Sequence, residues 1–136
     1  MDILLHSITG LLPFSIYFAA CVVLVAIFLV VYIRMTPYHE IELIRAGNAS
    51  AAASLSGALI GFVIPLARSV TQSANLPDMI LWGTIALVVQ LLVFWVVTRI
   101  VPQIVQDIPQ GKVAQGVFLG AVSVATGILN AACMTY

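Results

Sequence analysis

Residues Phe14 to Ile33 read FSIYFAACVVLVAIFLVVYI, without one charged side chain. A helix of that length crosses roughly 30 Å of hydrocarbon at about 1.5 Å per residue. Backbone groups in lipid must pair within their own segment, so the run predicts a membrane-spanning helix. Working outward, three more apolar runs follow, Ala51 to Ala67, Met79 to Val97 and Val113 to Met134. None has the period-two alternation of a barrel strand. The polar stretches Arg34 to Ser50, Arg68 to Asp78 and Arg99 to Lys112 separate them. The expected fold class is an all-α membrane protein with four transmembrane helices.

Composition supports this reading. Of 136 residues 62% are hydrophobic and 7% charged, against roughly 25% charged in soluble domains. One membrane domain, 1–136, therefore takes nearly all of the length, and membrane lipid is the expected surrounding. The basic residues Arg34, Arg45, Arg68, Arg99 and Lys112 are scattered and the net charge is zero. No basic patch forms, which excludes nucleic acid as a partner. Residues 1–12 hold Asp2 and His6 but no Lys or Arg, so the basic start of a cleavable signal is missing and the N-terminus is expected to be retained. Cys21 and Cys133 lie in different apolar runs and read as packing thiols, with pairing or modification left open.

Basic residues in short loops set orientation. Arg34 with Arg45, and Arg99 with Lys112, follow the first and third runs, whereas the remaining loop holds only Arg68. The bias places the first and third loops in the cytoplasm and both termini in the periplasm. Trp82 is then expected near one interface, Tyr32 and Tyr38 near the other, and Tyr136 at the outer end of the last span.

The chain also carries a weak internal repeat. Arg34-Met35-Thr36-Pro37 matches Arg99-Ile100-Val101-Pro102 at a shift of 65, and Gly57-Ala58 matches Gly120-Ala121 at a shift of 63. The expectation is two tandem helix hairpins in the same orientation, 1–72 and 73–136, a parallel repeat. The odd runs are rich in Val, Leu, Ile and Phe, suited to face lipid. The even runs carry small residues, Ala53, Gly57 and Gly61 in one, Gly116, Gly120 and Gly127 in the other. Such stripes let backbones approach closely, so the even helices are expected to form the packed centre.

Catalytic chemistry has little to work with. No Asp, Glu, Lys or His falls within an apolar run, which excludes the carboxylate proton relays of pumps. His6 and His39 are expected on opposite sides of the membrane, so no metal site or nucleophilic triad assembles and no cofactor is expected. Gln90, Ser123 and Asn130 lie at membrane depth and read either as cross-helix hydrogen bonds or as a polar path. Pro65 frees the carbonyl of Gly61. In the first connector Thr36 is expected to cap a short helix with Pro37 at its first position, and Gly47 to stop it. Glu40, Glu42 and Arg45 would then form an accessible face for partner docking.

The stretches Thr36-Pro37, Glu40 with Leu43-Ile44-Arg45, Gly47-Asn48, Gly57-Ala58-Leu59-Ile60-Gly61, Ile64-Pro65-Leu66 and Gly127 through Thr135 together resemble the YjfL-like family of small bacterial inner-membrane proteins. The resemblance covers nearly the whole chain. It implies a bacterial inner-membrane location and two tandem two-helix units, with no reaction, substrate or cofactor. By association it implies a partner among peripheral membrane-maintenance proteins of the phage-shock type. Two functions follow as expectations: an oligomeric anchor or scaffold recruiting such a cytoplasmic partner, or a small channel or transport subunit lined by the even helices. An enzyme is not expected.

Overall fold

The computed structural model describes residues 1–135, so Tyr136 and its expected place at the outer end of the last span lie outside the described residues. The described chain is helical: α1 (Asp2–Thr9), α2 (Leu11–Met35), α3 (Glu40–Arg45), α4 (Ala49–Gln72), α5 (Leu76–Ile100), α6 (Ile104–Asp107) and α7 (Val113–Cys133). Four segments are long and apolar enough to cross a membrane: Asp2–Met35, Ala49–Gln72, Leu76–Ile100 and Val113–Cys133. Several outrun the apolar stretches that announce them, because hydropathy marks where lipid ends while a helix runs on to its cap. Asn48 and Asn75 start α4 and α5, their side chains accepting from Ala51 N and Asp78 N, each at 3.0 Å. Asp78 in turn accepts from Ala74 N at 3.2 Å, and such caps contribute about 1 kcal/mol each. At the other extreme, Asp2–Met35 is 34 residues long, about 50 Å of helix, so it projects well beyond one hydrocarbon thickness.

The centre is the seam between α4 and α7. A Cβ added to Gly116 would strike Ser50, one on Gly120 would lie 2.6 Å from the Ala53 carbonyl oxygen, and one on Gly127 would lie 2.6 Å from the Gly61 Cα. One on Gly57 would strike Gly120. Moving along α7 from 116 to 127, the neighbours on α4 advance from 50 to 61, so the two helices run in the same direction. Ala53, Gly57, Gly61, Gly116, Gly120 and Gly127 all lie along this contact. Small residues are required because backbone meets backbone, and dispersion and interhelical bonds replace the hydrophobic drive that lipid removes.

The other helices attach to this seam through larger side chains. Phe28 of α2 stacks on Phe62 of α4 with centroids 4.6 Å apart. Tyr32 meets Phe28 at 5.5 Å and presents its ring to Phe94 of α5 edge-on at 5.5 Å. Offset and edge contacts of this kind add roughly 1 kcal/mol beyond burial. The first span otherwise buries only Leu24 and turns Val22, Val23, Ile27 and Val30 outward. Tyr32 and Tyr38, expected near one interface, are 1% and 7% exposed, so both turn their rings into the protein.

Candidate functional site

The two links at one end of the bundle are built alike. After α2, Thr36 is extended (φ −71°, ψ 137°), as expected before Pro37, whose ring disfavours helix at the preceding residue. Its hydroxyl donates to Ile33 O at 2.9 Å and Tyr38 O at 3.3 Å. Thr36 therefore closes α2 and does not open the connector helix, which starts at Glu40 behind His39; this corrects the expected Thr36–Pro37 start. The stop falls where expected. Gly47 takes φ 87°, its N–H donates to Ile44 O at 3.0 Å, and Asn48 N donates to Leu43 O at 2.9 Å. These two bonds form a Schellman cap, which needs a left-handed residue and so a glycine.

The second connector repeats the device. Gly111 takes φ 80°, with Gly111 N to Ile108 O at 3.0 Å and Lys112 N to Asp107 O at 3.1 Å. Every member sits 64 positions after its counterpart, Gly111 against Gly47 and Ile104 against Glu40. The connectors are also tied together. The Asn48 amide donates to Ile108 O at 2.9 Å and Pro109 O at 3.3 Å, and Ser50 Oγ donates to Lys112 O at 2.7 Å. Both connectors therefore gather at one end of the bundle, with Arg34, Arg45, Arg99 and Lys112.

Of the three residues expected on an accessible docking face, Glu42 and Arg45 are exposed and Glu40 is fully buried. Glu40 opens α3 on the side that rests against α4, so its carboxyl turns inward; the expectation of an accessible Glu40 is corrected. It lies beside Tyr32 and Tyr38. Neither carboxylate oxygen, nor either phenol oxygen, has a partner in hydrogen-bonding geometry. Burial pushes the Glu40 carboxyl up from 4.5 to about 7, offset in part by the adjacent Tyr38 hydroxyl. Burial also raises the Tyr38 phenol, Glu40 adds to this, and the nearby Ser54 hydroxyl works against it. A signal for this burial exists in the sequence: the repeat passes from a shift of 65 before the connector to 63 after it, and the intermediate 64 sets Glu40 against an isoleucine.

The polar residues at membrane depth separate. Gln90 Nε2 donates to Ser123 O at 3.1 Å, and Ser123 Oγ donates to Leu119 O at 3.0 Å. Gln90 and Ser123 are thus joined across α5 and α7, while Asn130 stands two turns further along α7 with its Nδ2 buried and unpaired. The Gly61 carbonyl freed by Pro65 faces Gly127. Cys21 and Cys133 are both free thiols. Among the described residues no cluster of His, Cys, Asp or Glu is placed to hold a metal ion.

Fold and site together define a polytopic helical membrane protein whose connectors meet at one face. The chain belongs to the family described as Domain of Unknown Function (DUF350), whose model matches residues 6–134. It is 43% identical over 132 residues to the UPF0719 inner membrane protein YjfL of Escherichia coli strain K12, covering 97% of this chain and 100% of that protein. YjfL of Escherichia coli O157:H7 matches to the same extent. The UPF0719 transmembrane protein YshE of Bacillus subtilis strain 168 is 27% identical over 124 residues, 90% of this chain and 92% of that protein. No solved structure matches. The chain is an integral inner-membrane protein of this family.

Proposed function

We propose that the chain is a membrane anchor that recruits a peripheral membrane-maintenance protein to the cytoplasmic face through α3. The observation that carries this reading is the way α3 is presented. A six-residue helix, too short to persist alone, is held by the Schellman cap and its buried first residue, while Ile41, Glu42 and Arg45 stay exposed. An apolar residue flanked by one acid and one base suits an amphipathic helix of mixed charge. Placement of this face in the cytoplasm, with periplasmic termini, rests on the basic residues gathered there. Two tandem copies of a helix hairpin are part of the same reading, supported by the matched connectors and the parallel α4 and α7. Association with further copies of the chain would use the lipid-facing sides of α2 and α5, since the seam employs its small residues within one chain. No catalytic step belongs to this function.

The channel reading draws less support, because Gln90 and Ser123 bond to neighbouring backbone and the α4–α7 seam is closed by glycine contacts. One experiment separates the two. Purified protein is reconstituted in liposomes for ion flux, and in parallel crosslinked in membranes at α3 to identify a bound soluble protein. The anchor predicts negligible flux and one crosslinked protein whose yield falls with salt and with Glu42→Gln or Arg45→Gln, because exposed charge pairs are screened beyond ~8 Å at physiological ionic strength. Flux abolished by Asn130→Leu and indifferent to the α3 substitutions would establish the channel instead.

A further inference from the structure

The connector cluster presents an electrostatic problem that its fold does not require. Glu40 is fully buried without a hydrogen-bond partner. Among the described residues the ion pair formed is Lys112 with Asp107, at 3.1 Å. Tyr32 faces Glu40 from α2 and Tyr38 from the link, with Ser54 of α4 beside Tyr38. The nearest bases along the chain, Arg34, His39 and Arg45, are exposed. In the second connector the positions matching Tyr32, Glu40 and Ser54 hold Val97, Ile104 and Val117, and Tyr38 falls where the repeat is one residue shorter; Ile104 is as deeply buried as Glu40. The same backbone therefore accepts an aliphatic residue where α3 carries a carboxyl.

An isolated carboxylate in such a place is too costly to stay charged and uncompensated. A metal cation would need about six oxygen ligands. Here the walls offer two phenols and one serine hydroxyl, backed by the rings of Phe28, Phe62 and Phe94. A proton needs only the carboxyl itself, and it removes the charge that burial opposes more strongly than the Tyr38 hydroxyl offsets. The remaining way to relieve the charge is to move it into water, and the element that carries Glu40 is one short helix at the bundle's edge.

We propose that Glu40 is a proton-binding group whose protonation seats α3 on the membrane bundle, so that the first connector is a pH-sensitive clasp and the second is not. The raised carboxyl value gives the direction. When α3 lifts, Glu40 returns to an ordinary carboxylate, so between the usual 4.5 and about 7 the open form has released a proton that the seated form keeps. Seating is complete below that window, weakens as pH rises through it, and is weakest above about 7. The clasp operates whether or not α3 binds a partner.

The test is hydrogen exchange of the α3 and α6 amides in the full chain in lipid nanodiscs, across this pH range. Each pH is referred to Glu40→Gln at the same pH, which removes the intrinsic base catalysis of exchange. Opening of α3 in the native chain, relative to Glu40→Gln, should rise by roughly two orders of magnitude and then level off, with α6 at a constant ratio. A constant ratio at α3, or an equal response at α6, would overturn the proposal. Should Glu40→Gln fail to fold, infrared titration of the native chain decides. A protonated-carboxyl band persisting to a midpoint near 7 supports the clasp, and loss of every such band well below neutrality overturns it.

Discussion

The two connectors share a backbone and differ in what they bury. Both α3 and α6 end in a Schellman cap closed by a left-handed glycine, and both turn their first residue inward. That residue is Glu40 in one and Ile104 in the other. The surroundings differ in the same sense, with Val97 in place of Tyr32 and no counterpart to Tyr38. The second connector instead places its acid at Asp107, where Lys112 pairs with it at 3.1 Å. Geometry here is set by glycine placement and capping, which leaves the buried position free to be apolar or chemical. The first connector has chemistry there, and the second shows that folding does not demand it.

Exchanging that chemistry should have the largest effect. Ile104→Glu puts a carboxyl into the connector where Val97 stands in place of Tyr32 and should destabilise the chain by about 3 kcal/mol or more. Glu40→Gln should cost less than about 1 kcal/mol near neutral pH, because it removes a charge that the site already disfavours. Urea titration of the helical signal in mild detergent measures both. Equal costs would mean that the two pockets are chemically the same and would break the comparison.

The tie between the connectors should rank next. Asn48→Ala removes the cap on Ala51 N and both bonds to the second connector, and should cost about 2 kcal/mol. Lys112→Ala, which loses one ion pair between an exposed lysine and a buried aspartate, should cost about 1 kcal/mol. Exchange protection across residues 108–112 should fall in the Asn48 variant far more than in the Lys112 variant. A smaller loss from Asn48→Ala would place the connectors' register under some other contact.

Gly47→Ala and Gly111→Ala sharpen the shared part. Both glycines have positive φ and nothing within 4 Å of an added Cβ, so only backbone strain opposes the change. Each should cost about 1 kcal/mol, and the two should agree closely. A cost at one site alone would show that one cap contributes little.

Much of this was legible in the sequence and some was not, for definable reasons. Spans follow from hydropathy, and the α4–α7 seam from small residues spaced along one face, because lipid imposes both requirements directly. Gly47 announced its turn because few other residues tolerate that backbone. Thr36 misled because its hydroxyl can close the helix before it as readily as open the one after it, and Pro37 decides between these by forcing Thr36 out of the helix. Glu40 was unreadable as a buried acid from composition, since charge in a loop normally signals solvent. Only comparison with Ile104 reveals the inward position. Tyr32 shows the related difficulty that an aromatic residue at interfacial depth can face protein as well as headgroups.

The proposed anchor requires both connectors to stand together in the cytoplasm. With Cys21 and Cys133 replaced by alanine, Glu42→Cys and Gln106→Cys are made separately and treated in intact cells with a membrane-impermeant thiol reagent. Both cysteines should stay unlabelled until the inner membrane is opened and then label readily. Labelling of either one in intact cells would contradict the account, and labelling of only one would separate connectors that Asn48 and Ser50 hold side by side.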